Sequence, residues 1–294
     1  MTQVFVLGMA AVDFVFSVPA MPRTAEKYLA RDAKVVGGGP AANAAVAVAR
    51  LGGTPELAAR LGDDALAGLV LQGLEADGVA TNFVNRAPDG QSSFSSVYVD
   101  AQGERQIVNF RGTGLTEDTF WLADATRADA VLVDTRWPSG ALRALDMART
   151  WGVPGVLDAE APIDPSLLEK ASHVAFSRTG LQQLSNENDP ARALKEAAAG
   201  LEGWACVTDG ERGVWFTDGT GIAHVPAFQV IAKDTLAAGD IWHGAFALSL
   251  AEERDALTAI RFANAAAALK CMNFGGRAGC PDRAAVNSFL KENT

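Results

Sequence analysis

The chain has 294 residues, a formal net charge of −10, 49% hydrophobic residues and 20% charged residues. That length can bury a substantial core in one large domain with a small appendage. The acidic balance argues against an extended nucleic-acid surface but leaves room for a local cationic pocket that takes an anionic metabolite.

In chain order, residues 3–8 read as an entering buried strand, and 12–18 and 28–36 are strand-like. A glycine-rich turn then leads into a helix of Ala, Val and Leu over 42–51. Gln91 to Val99 and Arg105 to Phe110 read as a strand pair joined by Asp100-Ala101-Gln102-Gly103, so a small sheet is expected that could cover a site. From about 119 the pattern becomes short apolar strands alternating with helices. It runs through Ala130–Asp134, Ala141–Trp151, Gly155–Asp158, Pro165–Lys170, His173–Ser177 and Pro190–Gly200. Cys206–Thr208 and Gly213–Thr217 continue the strands, and Ile241–Leu250 and Asp255–Cys271 read as helices. This is an α/β layered pattern with a largely parallel sheet, in which ligands gather at the carboxyl ends of strands.

The start MTQVFVLGMAAVDFVF lacks the basic region and cleavage pattern of a signal peptide, and no apolar run reaches spanning length. A cytoplasmic protein with no membrane contact is expected. Cys206, Cys271 and Cys280 have neither zinc-site nor disulfide spacing and read as reduced structural thiols. His173 and His224 read as structural, while His243 either packs on its helix or approaches a nucleotide.

Two segments can carry chemistry. Asp234-Thr235-Leu236-Ala237-Ala238-Gly239-Asp240 is a small-residue turn entering a helix, which exposes backbone N–H groups beside an acid. Such a turn suits phosphoryl transfer to an alcohol, although Asp and small residues also cap ordinary helices. Gly37-Gly38-Gly39-Pro40-Ala41-Ala42-Asn43 lets a ligand approach the backbone, and Asn43 offers both a donor and an acceptor to a polyhydroxylated molecule. It has neither P-loop spacing nor the dinucleotide fingerprint, so a tight turn and a sugar site both fit it.

These two motifs, in this order with VLGMAAVDF, LGDDALAG and VTDGERGVWF, make the chain resemble the ribokinase-like, or PfkB, family of carbohydrate kinases over nearly its whole length. The resemblance implies a ribokinase-like αβα sandwich with a small β-sheet lid. One kinase domain would span 1–294, with the lid formed by about 12–36 and 91–111 and the remainder forming the nucleotide-binding core. It implies ATP with Mg²⁺, and some members respond to monovalent cations. Asp13 would bind sugar hydroxyls, Gly38, Gly39 and Asn43 would shape the sugar side, and Asp240 would be the general base. The amides of Ala237, Ala238 and Gly239 would form the anion hole. Thr208, Gly210 and Gly213 would approach the nucleotide phosphates, and Asn264 would flank the base. Two departures stand out: Ala237 replaces the first Gly of the usual DTxGAGD, and Ser177-Arg178-Thr179-Gly180-Leu181 lacks the common Asn-x-x-Glu motif. No residue is therefore assigned to metal.

A narrower resemblance, to bacterial sulfofructose kinases, is carried by EKYLARDAKVVGGGPAANAAVAVARLG, GERQIVNF, VDTRW and NFGGRAGCPD. It implies phosphorylation of 6-deoxy-6-sulfofructose on its 1-hydroxyl, with Lys27, Asn109 and Arg136 recognising the sulfonate. Each of the three also has a plain reading as a surface ion pair or turn residue, and Arg105 and Arg111 either add a favourable field or are solvated lid charges. The alternatives are a kinase for fructose, 2-keto-3-deoxygluconate or another sugar, and an inactive nucleotide- or sugar-binding regulator. Exposed lid edges suit a homodimer.

Overall fold

The computed structural model of the protein describes residues 1–102 and 104–293. The chain begins with β1 (Gln3–Gly8), β2 (Ala11–Ser17), β3 (Asp32–Gly38), α1 (Pro40–Arg50), β4 (Thr54–Gly62), α2 (Ala65–Ala76), β5 (Ala80–Ala87), β6 (Phe94–Val99) and β7 (Arg105–Phe110). It continues as β8 (Ala130–Asp134), α3 (Pro138–Trp151), β9 (Gly155–Ala159), α4 (Pro165–Lys170), β10 (His173–Phe176), α5 (Arg178–Gln182), α6 (Pro190–Ala198), β11 (Trp204–Thr208), β12 (Val214–Thr217) and β13 (Ile222–Val225). It closes with α7 (Ala238–Ala251), α8 (Ala256–Cys271) and α9 (Arg283–Glu292).

Among the described residues one sheet has nine strands in the order β13-β12-β11-β10-β9-β8-β1-β4-β5, parallel from β5 to β11 and antiparallel at β12 and β13. β1 lies between β4 and β8, so the strand order reverses beside it. Ligand sites of open α/β sheets form at such a reversal, beyond the strands' carboxyl ends. Both faces of the sheet are covered, which is why β1, β8 and β9 are nearly continuous apolar runs. One core joins α1, α2, α7, α8 and α9 to the sheet; the other joins α3, α4, α5 and α6 to its opposite face.

The parallel sheet is not confined to the region after 119. β1, β4 and β5 belong to it, and the stretch 54–87, for which the sequence pattern predicts no element, supplies β4, α2 and β5. There, the turn between strand and helix is only two residues long, Asp63 and Asp64. The boundary is made by Asp64, whose side chain accepts the Ala67 N–H at 2.9 Å and caps α2.

The second sheet has the order β3-β2-β6-β7. Its β3 begins four residues later than expected and runs on through Gly37 and Gly38, because the ladder pairs Gly38 with Ala11. The expected strand from Gln91 begins instead at Phe94, Gln91 keeping only an isolated bridge to Thr113. Register places Asp13 beside Val36 and Ser95, and Ser95 beside Asn109, so these residues share the face turned toward the large sheet's carboxyl edge.

Helices α1 and α7 cross closely because their contact is built from small residues. A Cβ added at Gly244 would run into the Ala44 carbonyl and the Ala47 side chain. One turn ahead of Gly244 stands Asp240, and one residue ahead of Ala44 stands Asn43, so this contact brings the two polar side chains together.

Candidate active site

Asp240 lies in the first turn of α7, where the helix N-terminus favours a negative charge. Its Oδ2 accepts a hydrogen bond from Asn43 Nδ2 at 2.7 Å. Asn43 Oδ1 is buried with no protein partner, which leaves an acceptor free for a ligand hydroxyl. Burial, then the neighbouring Asp158 carboxylate, pushes the Asp240 carboxyl up to about 6, against the Asn43 hydrogen bond and His243.

The turn before Asp240 keeps a glycine-like shape without the glycine. Ala237 has φ 65° and ψ 8°, in the left-handed region, at a strain cost of about 1 kcal/mol. Of the three amides expected to form an anion hole, that of Ala238 turns back to the Thr235 carbonyl at 3.2 Å. The Gly239 amide belongs to the first turn of α7, which has no preceding carbonyl to receive it. No heavy atom approaches within 4 Å of a Cβ built on Gly239, and the residue lines a groove, so its side-chain side is open.

Behind Asp240 stands a set of carboxylates that the motifs did not single out. Asp134, at the end of β8, accepts the amides of Met9 at 2.8 Å, Arg136 at 2.8 Å and Ala41 at 3.2 Å. Burial pushes its carboxyl up to about 6, with Asp158 adding to the rise. Asp158, one residue before the end of β9, lies 3.1 Å from His243 Nδ1, yet neither ring nitrogen of His243 has an aligned hydrogen bond, so the pair interacts through charge. For His243, burial lowers the pKa but the Asp158 carboxylate outweighs it, and the net direction is up. Asp134 and Asp158 each end an apolar strand in the sequence, so reading acids at the carboxyl ends of parallel strands would have found them.

Asp13 faces the site from β2. Burial raises its carboxyl pKa, while the Ser95 hydroxyl and the Arg277 charge pull the other way. Gly38 is glycine because a Cβ there would strike the Asp13 carboxylate; Gly37 because a Cβ would strike the Arg277 guanidinium on the other face of β3. Gly39 caps α1 at φ 91°, against the Met9 carbonyl. Asn109 donates to Ser95 Oγ at 3.0 Å and so stands beside Asp13.

Of the three residues implied for a sulfonate, only Arg136 lines the small arginine pocket. Lys27 is exposed in the β2–β3 connection, and Asn109 sits with Ser95. Arg136 instead lines a small pocket with Arg60, Arg111, Ser93, Met9 and Trp137. Arg136 donates to the Ala161 carbonyl at 2.9 Å, and the Arg60 guanidinium lies 4.8 Å from the Trp137 ring centroid. The Trp137 Nε1 is buried without an acceptor.

On the other side of the turn, Thr208, Gly210, Gly213 and Asn264 line one groove of about 450 Å³, together with Ala238, Gly239 and Trp242. Asn264 is occupied within the protein: Oδ1 accepts from Trp242 Nε1 at 2.8 Å, and Nδ2 donates to the Pro226 carbonyl at 3.3 Å. A second cleft, of about 300 Å³, lies between the small sheet and residues 232–236 and 274–276, and contains Lys34, Arg105 and Lys233. Arg105 reaches across it to Thr235 Oγ1 at 2.6 Å. Among the described residues no group of three or more His, Cys, Asp or Glu could hold a metal ion. These residues fit an ion carried by phosphate oxygens and water rather than by a protein cage. Nor is any helix among them long and apolar enough to cross a membrane.

The arrangement offers an acid, a free acceptor, open amides at a helix N-terminus and a groove leading to them. Comparison with known proteins agrees with it. The family model described as pfkB family carbohydrate kinase matches residues 1–283. A ribokinase from Bacillus subtilis (strain 168) is 30% identical over 295 residues, covering 99% of this chain and 100% of its own length. A deoxyribokinase from Salmonella typhi is 28% identical, covering 99% of each chain. A crystal structure of a provisionally named ribokinase from Agrobacterium tumefaciens superposes with TM-score 0.93 at 36% identity, covering 99% of this chain and 98% of that one. The names of these relatives do not carry the narrower likeness to sulfofructose kinases. Full-length coverage, the ribokinase-like fold and the motif turn together identify the chain as a member of the PfkB family of carbohydrate kinases, ATP-dependent phosphotransferases with an alcohol acceptor that work with Mg²⁺.

Proposed function

We propose that the protein phosphorylates a sugar carrying a negatively charged tail, with 6-deoxy-6-sulfofructose, phosphorylated on its 1-hydroxyl, as the substrate. The observation that carries this reading is the pocket lined by Arg111, Arg136, Trp137 and Arg60, in which Arg60 already pairs with Glu117 while Trp137 Nε1 lacks a partner. Guanidinium and indole N–H groups are donors only, so such a pocket favours an acceptor-only group such as a sulfonate. Of Lys27, Asn109 and Arg136, Arg136 lines this pocket and is the anchor in this reading; Asn109 pairs with Ser95, and Lys27 is exposed in the β2–β3 connection.

In this reading Asp13 and the free Oδ1 of Asn43 hold sugar hydroxyls, with Gly38 and Gly39 giving the backbone room. Asp240 takes the proton of the acceptor hydroxyl as the P–O bond forms, and Asn43 holds its carboxylate in line. The amides of Ala237 and Gly239 receive the charge on the transferred phosphoryl group, that of Ala238 being engaged with the Thr235 carbonyl. Thr208, Gly210 and Gly213 line the path of the nucleotide phosphates, while Asn264 positions Trp242 at the groove wall. Mg²⁺ neutralises charge on the phosphates. The small sheet acts as a lid that excludes water, held down through Arg105 and Thr235. A cytoplasmic location goes with this reading, because ATP is supplied there.

The relatives' names favour a second reading, a kinase for ribose or deoxyribose. A panel of sulfofructose, fructose, ribose, deoxyribose and 2-keto-3-deoxygluconate with ATP and Mg²⁺ separates the two by kcat/KM and by the phosphorylated product. Preference for ribose over sulfofructose sinks the anionic-tail reading; binding without any product favours a regulator. The outer face of the lid carries Phe16 stacked on Tyr98, with Val35 and Val108 more than half exposed, which supports a homodimer through this sheet. Sedimentation equilibrium tests it, and a monomer at micromolar concentration removes it.

A further inference from the structure

Lys270, in the last turn of α8, is completely buried. A charged side chain away from water is costly unless every donor is met. Here the three hydrogens of the ammonium face three acceptors: the Asp234 carbonyl at 2.7 Å, Asp234 Oδ2 at 2.9 Å and the Asn273 carbonyl at 3.4 Å. The carboxylate is equally saturated. Its Oδ1 accepts the Leu236 amide at 2.8 Å, and its Oδ2 accepts those of Gly275 and Gly276 at 3.0 Å each. Burial opposes ionisation of Asp234, but these amides and Lys270 outweigh it and hold the carboxyl below its ordinary range.

The two residues sit where position matters. Asp234 opens the turn that ends at Asp240, and the amides of Lys233 and Asp234 donate to the Cys271 carbonyl at 2.7 and 3.1 Å. The start of the turn is thus pinned to the carboxyl end of α8, where the helix dipole also favours a cation. Ala237, three residues on, holds a strained left-handed conformation that persists only if its flanks are over-determined.

We propose that Lys270 is a positioning residue: a tethered cation, built into the chain, that fixes the turn from Asp234 so that the amide of Gly239 faces the transferred phosphoryl group. The inference rests on the anion-hole reading of the proposed function. Because the ammonium fills the nest of one carboxylate and two carbonyls, turnover needs no free monovalent cation. Lys270→Met keeps an apolar stem but leaves the nest facing a hole that a small cation can enter, ammonium being the lost head group itself.

The test measures kcat and KM for ATP and for sugar in buffers whose monovalent cation is choline, potassium or ammonium at equal ionic strength. Wild-type kcat should stay within twofold across all three. In choline, Lys270→Met should lose at least tenfold in kcat with sugar KM changed less than threefold, and ammonium should restore at least fivefold. The proposal is overturned if wild type is activated more than fivefold by potassium or ammonium, a result that depends on no variant. It is equally overturned if folded Lys270→Met keeps wild-type kcat, or is slow but not restored by small cations. If that variant does not fold, the wild-type comparison alone decides. Asp240→Asn run alongside separates the two ideas: full turnover there sinks the transfer reading itself, whereas its inactivity beside an unimpaired Lys270→Met sinks only this inference.

Discussion

Asn43 Nδ2 donates to Asp240 Oδ2 at 2.7 Å across a helix contact that joins residues 197 apart in the chain. The bond holds the carboxylate facing the cleft while leaving Asn43 Oδ1 free. Burial, with the like charges of Asp158 and Asp134 beside it, is why this acid titrates near 6 rather than near 4.

That environment has a sign. A carboxyl with a folded pKa of about 6 and an unfolded value of about 4 gives the native state more bound protons between those limits. Stability therefore falls as pH rises through the window, and the penalty is complete above about 6. Asp240→Asn should abolish turnover yet raise the melting temperature at pH 7.5. Wild-type kcat/KM should fall as pH drops below about 6. A pH–rate profile flat to pH 5 would show that Asp240 does not take the proton.

Gly239 and Ala237 should respond oppositely to small changes. Gly239→Ala meets no protein atom, so the fold should keep its melting temperature within about 1 °C while kcat falls at least tenfold, the new methyl standing where phosphate approaches. Ala237→Gly relieves about 1 kcal/mol of left-handed strain but adds unfolded-state freedom, so stability should change little and activity should persist. Thermal melts with steady-state kinetics check both.

Arg136→Ala should raise KM for sulfofructose roughly tenfold to a hundredfold, about 1.5–3 kcal/mol for one charged hydrogen bond, and leave fructose or ribose kinetics within threefold. Equal losses on neutral and anionic sugars would place Arg136 in a purely structural role through its bond to the Ala161 carbonyl.

Gly244→Ala tests the helix contact that makes the site. Its methyl would meet the Ala44 carbonyl and the Ala47 side chain, so α1 and α7 must part, at a cost of about 1–3 kcal/mol. Because Asn43 and Asp240 move with these helices, kcat should fall too. A variant as active and as stable as wild type would show that the contact is plastic.

Much of this is legible in the residues. The α/β layering follows from apolar runs alternating with helical ones, and the two glycine-containing turns stand out because small residues ahead of a helix leave its first amides uncovered. The elements of 54–87 are hidden because the turn from strand to helix is only Asp63 and Asp64, and a short turn with one capping acid is a weak mark. Asp134 and Asp158 leave a trace in the sequence as acids at the ends of apolar strands, but which strands adjoin, and so which acids meet, is set by the sheet order. The sulfonate trio is joined by resemblance alone, and of Lys27, Asn109 and Arg136 only Arg136 lines the arginine pocket.

Local chemistry thus determines what a segment can do: which turns expose amides, which helices pack closely, where a left-handed residue strains. Only the tertiary structure decided which charges share a space. Lys270 reads as an ordinary helix-end lysine until α8 is packed, and then its ammonium has no solvent to enter and closes on Asp234. Burial and long-range pairing change the energy of a charge by more than any neighbour in sequence can, and they exist only once the chain has folded.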